Sequence, residues 1–108
     1  MSSAQVVSWG GYDFNSYDPI QTNWNDVPGV YIFAGMSTDG RWWRAKYVGQ
    51  TSSFAIRLGP GISNHEHWQE AKRKGATHIH ARVVQNEIER RSLELMLIDT
   101  YNPPLNAT

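Results

Sequence analysis

Glu94 is the side chain whose surroundings demand an explanation. The stretch after Asn86 carries Ile88, Leu93, Leu95, Met96, Leu97 and Ile98, which at ~100° per residue surround most of a helix. Glu94 falls between Leu97 and Ile98 on that wheel, inside the apolar belt. An ionised carboxylate there is costly unless it is paired or bound to a cation. Two arrangements would stabilise it. One is a salt bridge to Arg90 or Arg91, one turn back. The other is ligation of a hard divalent cation such as Mg2+, which takes carboxylate and water oxygens. The histidines offer a different chemistry. His65-x-His67 and His78-x-His80 have spacings that could gather imidazoles around a metal. A strand His-x-His puts both rings on one face. No Asp or Glu joins the strand pair, however, and a solvated polar face accounts for it as well.

The elements that must position these groups are legible in outline. Residues 29–34 and 44–49 are two short apolar strands around the turn formers Gly35, Ser37, Asp39 and Gly40, a β-hairpin pattern. Each strand holds one tyrosine, Tyr31 and Tyr47, with a glycine two residues away, Gly29 and Gly49. Taken by themselves these tyrosines read as packing residues, because tyrosine suits a pleated surface. Ser52 or Ser53 caps a short helix bearing Arg57, and Gly59-Pro60-Gly61 stops it. Ser63 and Glu66 fit a capping box for a helix from about Asn64 to Lys74, ended by Gly75. Lys72, Arg73 and Lys74 fall in its last turn, where the helix dipole favours them.

Thr77 to Val84 alternates as a third strand, with Ile79, Ala81 and Val83 on one face and His78, His80 and Arg82 on the other. Asn86, with Glu89 three residues on, caps a final helix to about Tyr101. Pro103 and Pro104 forbid its continuation. The order β-β-α-α-β-α predicts a small α+β domain, a three-stranded antiparallel sheet flanked by helices. Residues 1–27 lack periodicity but are rich in aromatics. They read as an N-terminal arm packed on the domain of residues 28–108, with a short strand at Gln5–Ser8. Packing is favoured over base stacking for Trp9 and Tyr12.

The chain of 108 residues is one domain in size. It has no cysteine, which excludes disulfides, thiolate metal sites and thiol nucleophiles. No apolar run approaches the ~20 residues of a membrane span. The N-terminus lacks a signal-peptide pattern, so an intracellular, cytoplasmic protein is expected. Formal net charge is zero, but residues 29–83 carry eight bases and three acids. The positive charge is gathered on the central segment, which is compatible with a phosphate-facing surface. Ordinary solvated charge explains it nearly as well.

Gly29-Val30-Tyr31 followed by Tyr47-Val48-Gly49 resembles the paired motif of the GIY-YIG nuclease family, with Ile replaced by Val in each triplet. Arg57 matches the family's arginine on the helix after the second triplet. Glu94 with Leu97-Ile98 matches its metal-binding glutamate on a late helix, and Pro104-Leu105-Asn106 its terminal proline and asparagine segment. The resemblance covers roughly residues 27–106.

It implies hydrolysis of DNA phosphodiester bonds with one divalent metal, Mg2+ or Mn2+. Glu94 would hold the metal, Arg57 would neutralise the phosphate and Tyr31 would position or deprotonate the attacking water. Tyr47 would orient the nucleophile or phosphate, and Asn106 would hold the site's geometry. Arg44, Lys46 and Arg57 are the expected DNA contacts. Many members carry a histidine one turn after the arginine, where this chain has Gly61. His65, or His67, would then have to reach the site, and His65 is preferred. The rival reading is a catalytically inactive nucleic-acid-binding or protein-interaction module on the same fold. Specificity would come from a partner protein, from a homodimer, or from recognition of a DNA structure instead of a sequence.

Overall fold

The structure is a computed structural model that describes residues 5–20, 22–59, 62 and 65–106. Its central strand explains the layering. β3 (Gly29–Met36) is buried from Gly29 to Gly35, as a continuous apolar run requires when both of its faces are covered. β4 (Trp43–Thr51) and β5 (His78–Val83) flank it, both antiparallel. Tyr31, Phe33, Ile79 and Ala81 face one layer, formed by α1 (Phe54–Leu58) and α2 (Trp68–Arg73). Val30, Ile32, Ala34 and Val48 face the other, which contains Leu93 and Leu97 of α3 (Glu87–Tyr101).

The sheet has five strands where the sequence predicts three. β1 (Gln5–Trp9) and β2 (Tyr12–Tyr17) form a hairpin, and β2 pairs with β5, giving the order β1-β2-β5-β3-β4. The expected strand at Gln5–Ser8 is present, whereas β2 has no counterpart in the sequence reading. Its signal is the two-residue Gly10-Gly11 turn, with φ of 58° and 87°, the left-handed geometry that a tight hairpin needs. The polar run Tyr12–Tyr17 is held extended by its ladders to β1 over Tyr12–Ser16 and to the distant β5 over Asn15–Tyr17.

β5 carries the second correction. His80 is fully buried, not part of a solvated polar face. The N-terminal hairpin brings Trp9 over it, and the Trp9 indole N–H donates to His80 Nδ1 at 2.8 Å. Trp43 closes the other side with ring centroids 4.5 Å apart.

The helices follow their caps. Ser53 Oγ accepts from the Ile56 N–H in α1, and Asn86 Oδ1 accepts from the Glu89 N–H in α3. Helix α3 ends at Asn102, whose N–H closes the last helical bond to the Ile98 carbonyl and whose left-handed φ of 48° turns the chain out of the helix. Helix α2 is shorter than the expected Asn64–Lys74. It begins after His67, which gives no side-chain cap, and the predicted capping residue Ser63 lies outside the described residues. The apolar belt of α3 is also narrower than its wheel suggests. Ile88 and Leu95 are exposed because no second layer covers the helix's outer face. Among the described residues no helix is long and apolar enough to cross a membrane.

Candidate active site

The two glycines of the paired triplets are steric requirements. Gly49 stands opposite Tyr31 across the β3–β4 pair. A Cβ on Gly49 would lie 2.5 Å from both Cζ and Oη of Tyr31, so only glycine lets the ring lie over β4. A Cβ on Gly29 would run into the Arg82 carbonyl oxygen and the Phe54 ring. That glycine therefore lets α1 seat directly on the sheet. Gly49→Ala is expected to cost ~1–3 kcal/mol, as overpacking does in a filled core, measured by urea unfolding. A loss within experimental error would mean that the Tyr31 ring is free to move aside.

Seating α1 brings in Arg57. The helix is tied to the loop before β3, since Phe54 N–H donates to the Val27 carbonyl at 2.9 Å and Ala55 N–H to that of Asn25 at 3.1 Å. Arg57 lies one turn on from Phe54 and donates through Nη2 to Glu66 Oε1 at 3.1 Å. It also lies close enough to Tyr31 to act on its hydroxyl. Burial, then the neighbouring Tyr47, pushes the Tyr31 phenol well above its ordinary pKa. The Arg57 charge works the other way without cancelling them. Tyr47 is likewise raised, chiefly by burial. Both phenols are neutral near pH 7.

His65 joins this pair directly. It is buried, and its Nε2 lies 2.8 Å from Tyr31 Oη. The backbone N–H of His67 donates to His65 Nδ1 at 3.1 Å. An amide N–H can only donate, so Nδ1 is unprotonated and the neutral ring carries its hydrogen on Nε2. His65 therefore donates to the Tyr31 oxygen, leaving the tyrosine O–H free for another acceptor. Burial first, and then the Arg57 charge, lowers the His65 pKa to about 4, so the ring is neutral under ordinary conditions. His67 is placed differently, stacked on Tyr47 with centroids 4.5 Å apart. The loop between α1 and α2 thus brings both histidines to the tyrosine pair, one by hydrogen bond and one by ring contact. The imidazole metal site is not assembled, because His65 and His80 lie on opposite faces of the sheet with a ring nitrogen of each already engaged.

Glu94 projects from α3, half-buried. Neither arginine of the salt-bridge reading is available to it. Arg90, itself buried, donates to Gln50 Oε1 at 3.0 Å and to the carbonyls of Val84 and Gln85. Arg91 pairs with Glu87 at 3.0 Å. Among the described residues Glu94 has no ion-pair partner, and burial raises its pKa, with Arg91 only partly offsetting. Its charge in turn acts on both Tyr31 and Tyr47. The Arg90–Gln50 clamp, which the sequence reading did not identify, ties α3 to β4 beside Gly49 and so sets the position of Glu94 one turn further along.

No group of three or more His, Asp or Glu residues suited to a metal is gathered among the described residues. A lone half-buried carboxylate without a cation partner among the described residues, whose charge is felt by both phenols, fits a hard ion that keeps most of its waters. It does not fit a closed imidazole site.

Asn106 acts on the backbone. Its Oδ1 accepts from the Val48 N–H at 2.7 Å and its Nδ2 donates to the Val48 carbonyl at 2.9 Å. Together with Leu105 N–H on the Lys46 carbonyl, it covers the outer edge of β4 between Tyr47 and Gly49. Arg44 is exposed and Lys46 half-buried on the same strand, outside the tyrosine–histidine cluster. Arg57 is the one expected DNA contact that the fold brings into it.

The antiparallel sheet that carries the two tyrosines, with helices on both faces, is the fold of a metal-dependent endonuclease domain. The chain is a GIY-YIG domain, similar over most of its length to the GIY-YIG N-terminal endonuclease domain of UvrC from Thermotoga maritima. An asparagine-to-alanine point mutant of that domain, bound to its catalytic divalent cation, superposes with a TM-score of 0.61 at 26% identity, covering 81% of this chain and 88% of that one. A tyrosine-to-phenylalanine mutant gives 0.59 at 28% identity over 83% and 91%. The magnesium-bound domain gives 0.59 at 26% identity over 81% and 89%. No family model matches the chain, and no curated protein does.

Proposed function

We propose that this domain hydrolyses DNA phosphodiester bonds with the help of a divalent metal. The observation that carries the reading is Glu94, a half-buried carboxylate with no cation partner among the described residues. It acts electrostatically on the Tyr31–Tyr47 pair. Held by Glu94, Mg2+ or Mn2+ supplies Lewis-acid stabilisation of charge on the phosphate oxygens.

The remaining work falls to side chains. Arg57 offers a planar fork to a phosphate, suited to paired oxygens, and gives up its exposed contact with Glu66 to do so. Such a surface pair is weak, so the exchange costs little. Tyr31, neutral and hydrogen-bonded by His65, turns its O–H toward the attacking water and orients it. Of the two roles considered for it, positioning suits a phenol with a raised pKa better than deprotonation does. Tyr47, stacked by His67, directs its hydroxyl at the nucleophile or the phosphate. Asn106 is a positioning residue that holds β4 between Tyr47 and Gly49. Arg44 and Lys46 contact flanking phosphates.

The test is a cleavage assay on single-stranded, duplex, nicked and branched DNA, with Mg2+ or Mn2+ and with EDTA. Cutting that requires the metal is the expected result. A folded protein that binds DNA and cuts none of it with either ion would hand the case to the binding-module reading. One observation favours that second reading: Arg57 is already paired with Glu66 in a chain of zero net charge.

A further inference from the structure

A recess of about 360 Å³ opens on the same face of the sheet as Tyr31. Asn15 and Tyr17 of β2 line it, together with Asn23, Trp24 and Asn25 of the loop before β3, and Phe54 of α1. Its position relative to the candidate active site is set by strand register. Tyr31, Ala81 and Asn15 stand in one cross-strand row on β3, β5 and β2. Neighbouring strands lie ~4.8 Å apart, so Asn15 is ~10 Å from Tyr31. The helix between them serves both places, with Phe54 on the recess and Arg57, one turn on, beside Tyr31.

The lining has the chemistry of an unstacked base. Three side-chain amides each offer donors and an acceptor, as base edges require. Tyr17 and Trp24 pack edge to face at 5.1 Å, and Trp24 meets Phe54 at 5.7 Å, giving aromatic surface for a base plane. The Trp24 indole N–H is buried with no partner among the described residues, an unfavourable state for a donor. A base carbonyl or ring nitrogen is an acceptor of the kind it lacks. The volume is at the small end for ligand sites, the size for one nucleoside and not for a duplex.

We propose that this recess receives one unpaired deoxynucleotide of the strand whose phosphate lies at Arg57. The preferred DNA is then one with an unpaired base close to the cut. This rests on the nuclease reading for the place of the phosphate, not for the binding of the base.

The test separates the two. The 15N-labelled protein, free of metal, is titrated with dAMP, dCMP and TMP. The readout is the Trp24 indole N–H signal, assigned by its disappearance in Trp24→Phe. It is expected to shift progressively with at least one nucleotide, together with the backbone amides of Asn15, Asn23 and Asn25. The double variant Asn15→Asp, Asn23→Asp, altered only at exposed positions, is expected to weaken the response at least ~5-fold by losing donors and adding charge. An unmoved Trp24 signal, or equal response in the folded double variant, overturns the proposal even if the wild type cuts DNA. A protein that cuts nothing but shows the Trp24 response keeps the recess and loses the nuclease reading.

Discussion

Glu94→Gln is expected to lower the rate of DNA cleavage at least ~10³-fold while leaving the folded protein intact. The magnitude follows from the role. Losing a metal's charge stabilisation removes several kcal/mol of transition-state binding, and each ~1.4 kcal/mol is tenfold in rate. The selectivity follows from the surroundings. Glutamine keeps the shape of the side chain and removes a charge that burial already disfavours. No ion pair is lost, because Arg90 is held by Gln50 and Arg91 by Glu87. Thermal stability without metal should therefore be unchanged or slightly higher in the variant, and metal affinity measured by calorimetry should collapse with the activity. A variant that cuts within tenfold of wild type would remove Glu94 from the metal-binding role.

Acid should destabilise the domain well above the pH at which its carboxylates protonate. His65 and His80 are both buried, and burial is the first cause that lowers each to a pKa of about 4 from 6.5. The sign is set by the proton count. Between those values the unfolded chain binds a proton that the folded chain refuses, so stability falls as pH drops from 6.5 toward 4 and these two contributions level off below it. Each shift corresponds to ~3 kcal/mol.

The groups facing each ring oppose protonation or fail to relieve it. His80 meets Trp9 from β1, whose indole N–H already donates to Nδ1, and Trp43 from β4. His78, its neighbour on β5, disfavours the added charge. His65 meets Tyr31, Tyr47, Arg57 and His67, with Glu66 the one acidic group in its favour. Urea unfolding at half-unit steps from pH 7.5 to 4 measures the slope. In His80→Asn the side-chain oxygen stays as an acceptor for Trp9 and the titration is removed. About half of the slope should vanish in that variant, and an undiminished slope would show that His80 contributes none of it.

The local elements and the identity of the chemical groups were legible because their signals are local. The Ser53 and Asn86 caps, the Gly59 stop and the continuous apolar run of β3 act within a few residues of themselves. The two triplets with Arg57, Glu94 and Asn106 were likewise readable in order along the chain. The N-terminal hairpin was not, because a polar run such as Tyr12–Tyr17 becomes a strand only when β1 and the distant β5 offer it ladders. His80 was misjudged for the same reason, since nothing in His-x-His records that Trp9, seventy-one residues away, will cover one ring.

The sequence by itself determined which side chains exist to do chemistry, where glycine is present and where α1 and α3 start and stop. Only the tertiary structure decided what those groups are like. It set His65 and not His67 on the Tyr31 hydroxyl, took Arg90 and Arg91 away from Glu94, and raised both tyrosines where a catalytic base would need them lowered. The physical reason is that desolvation and hydrogen-bond satisfaction depend on what is brought near in space. In this domain those neighbours come from strands and helices distant in sequence.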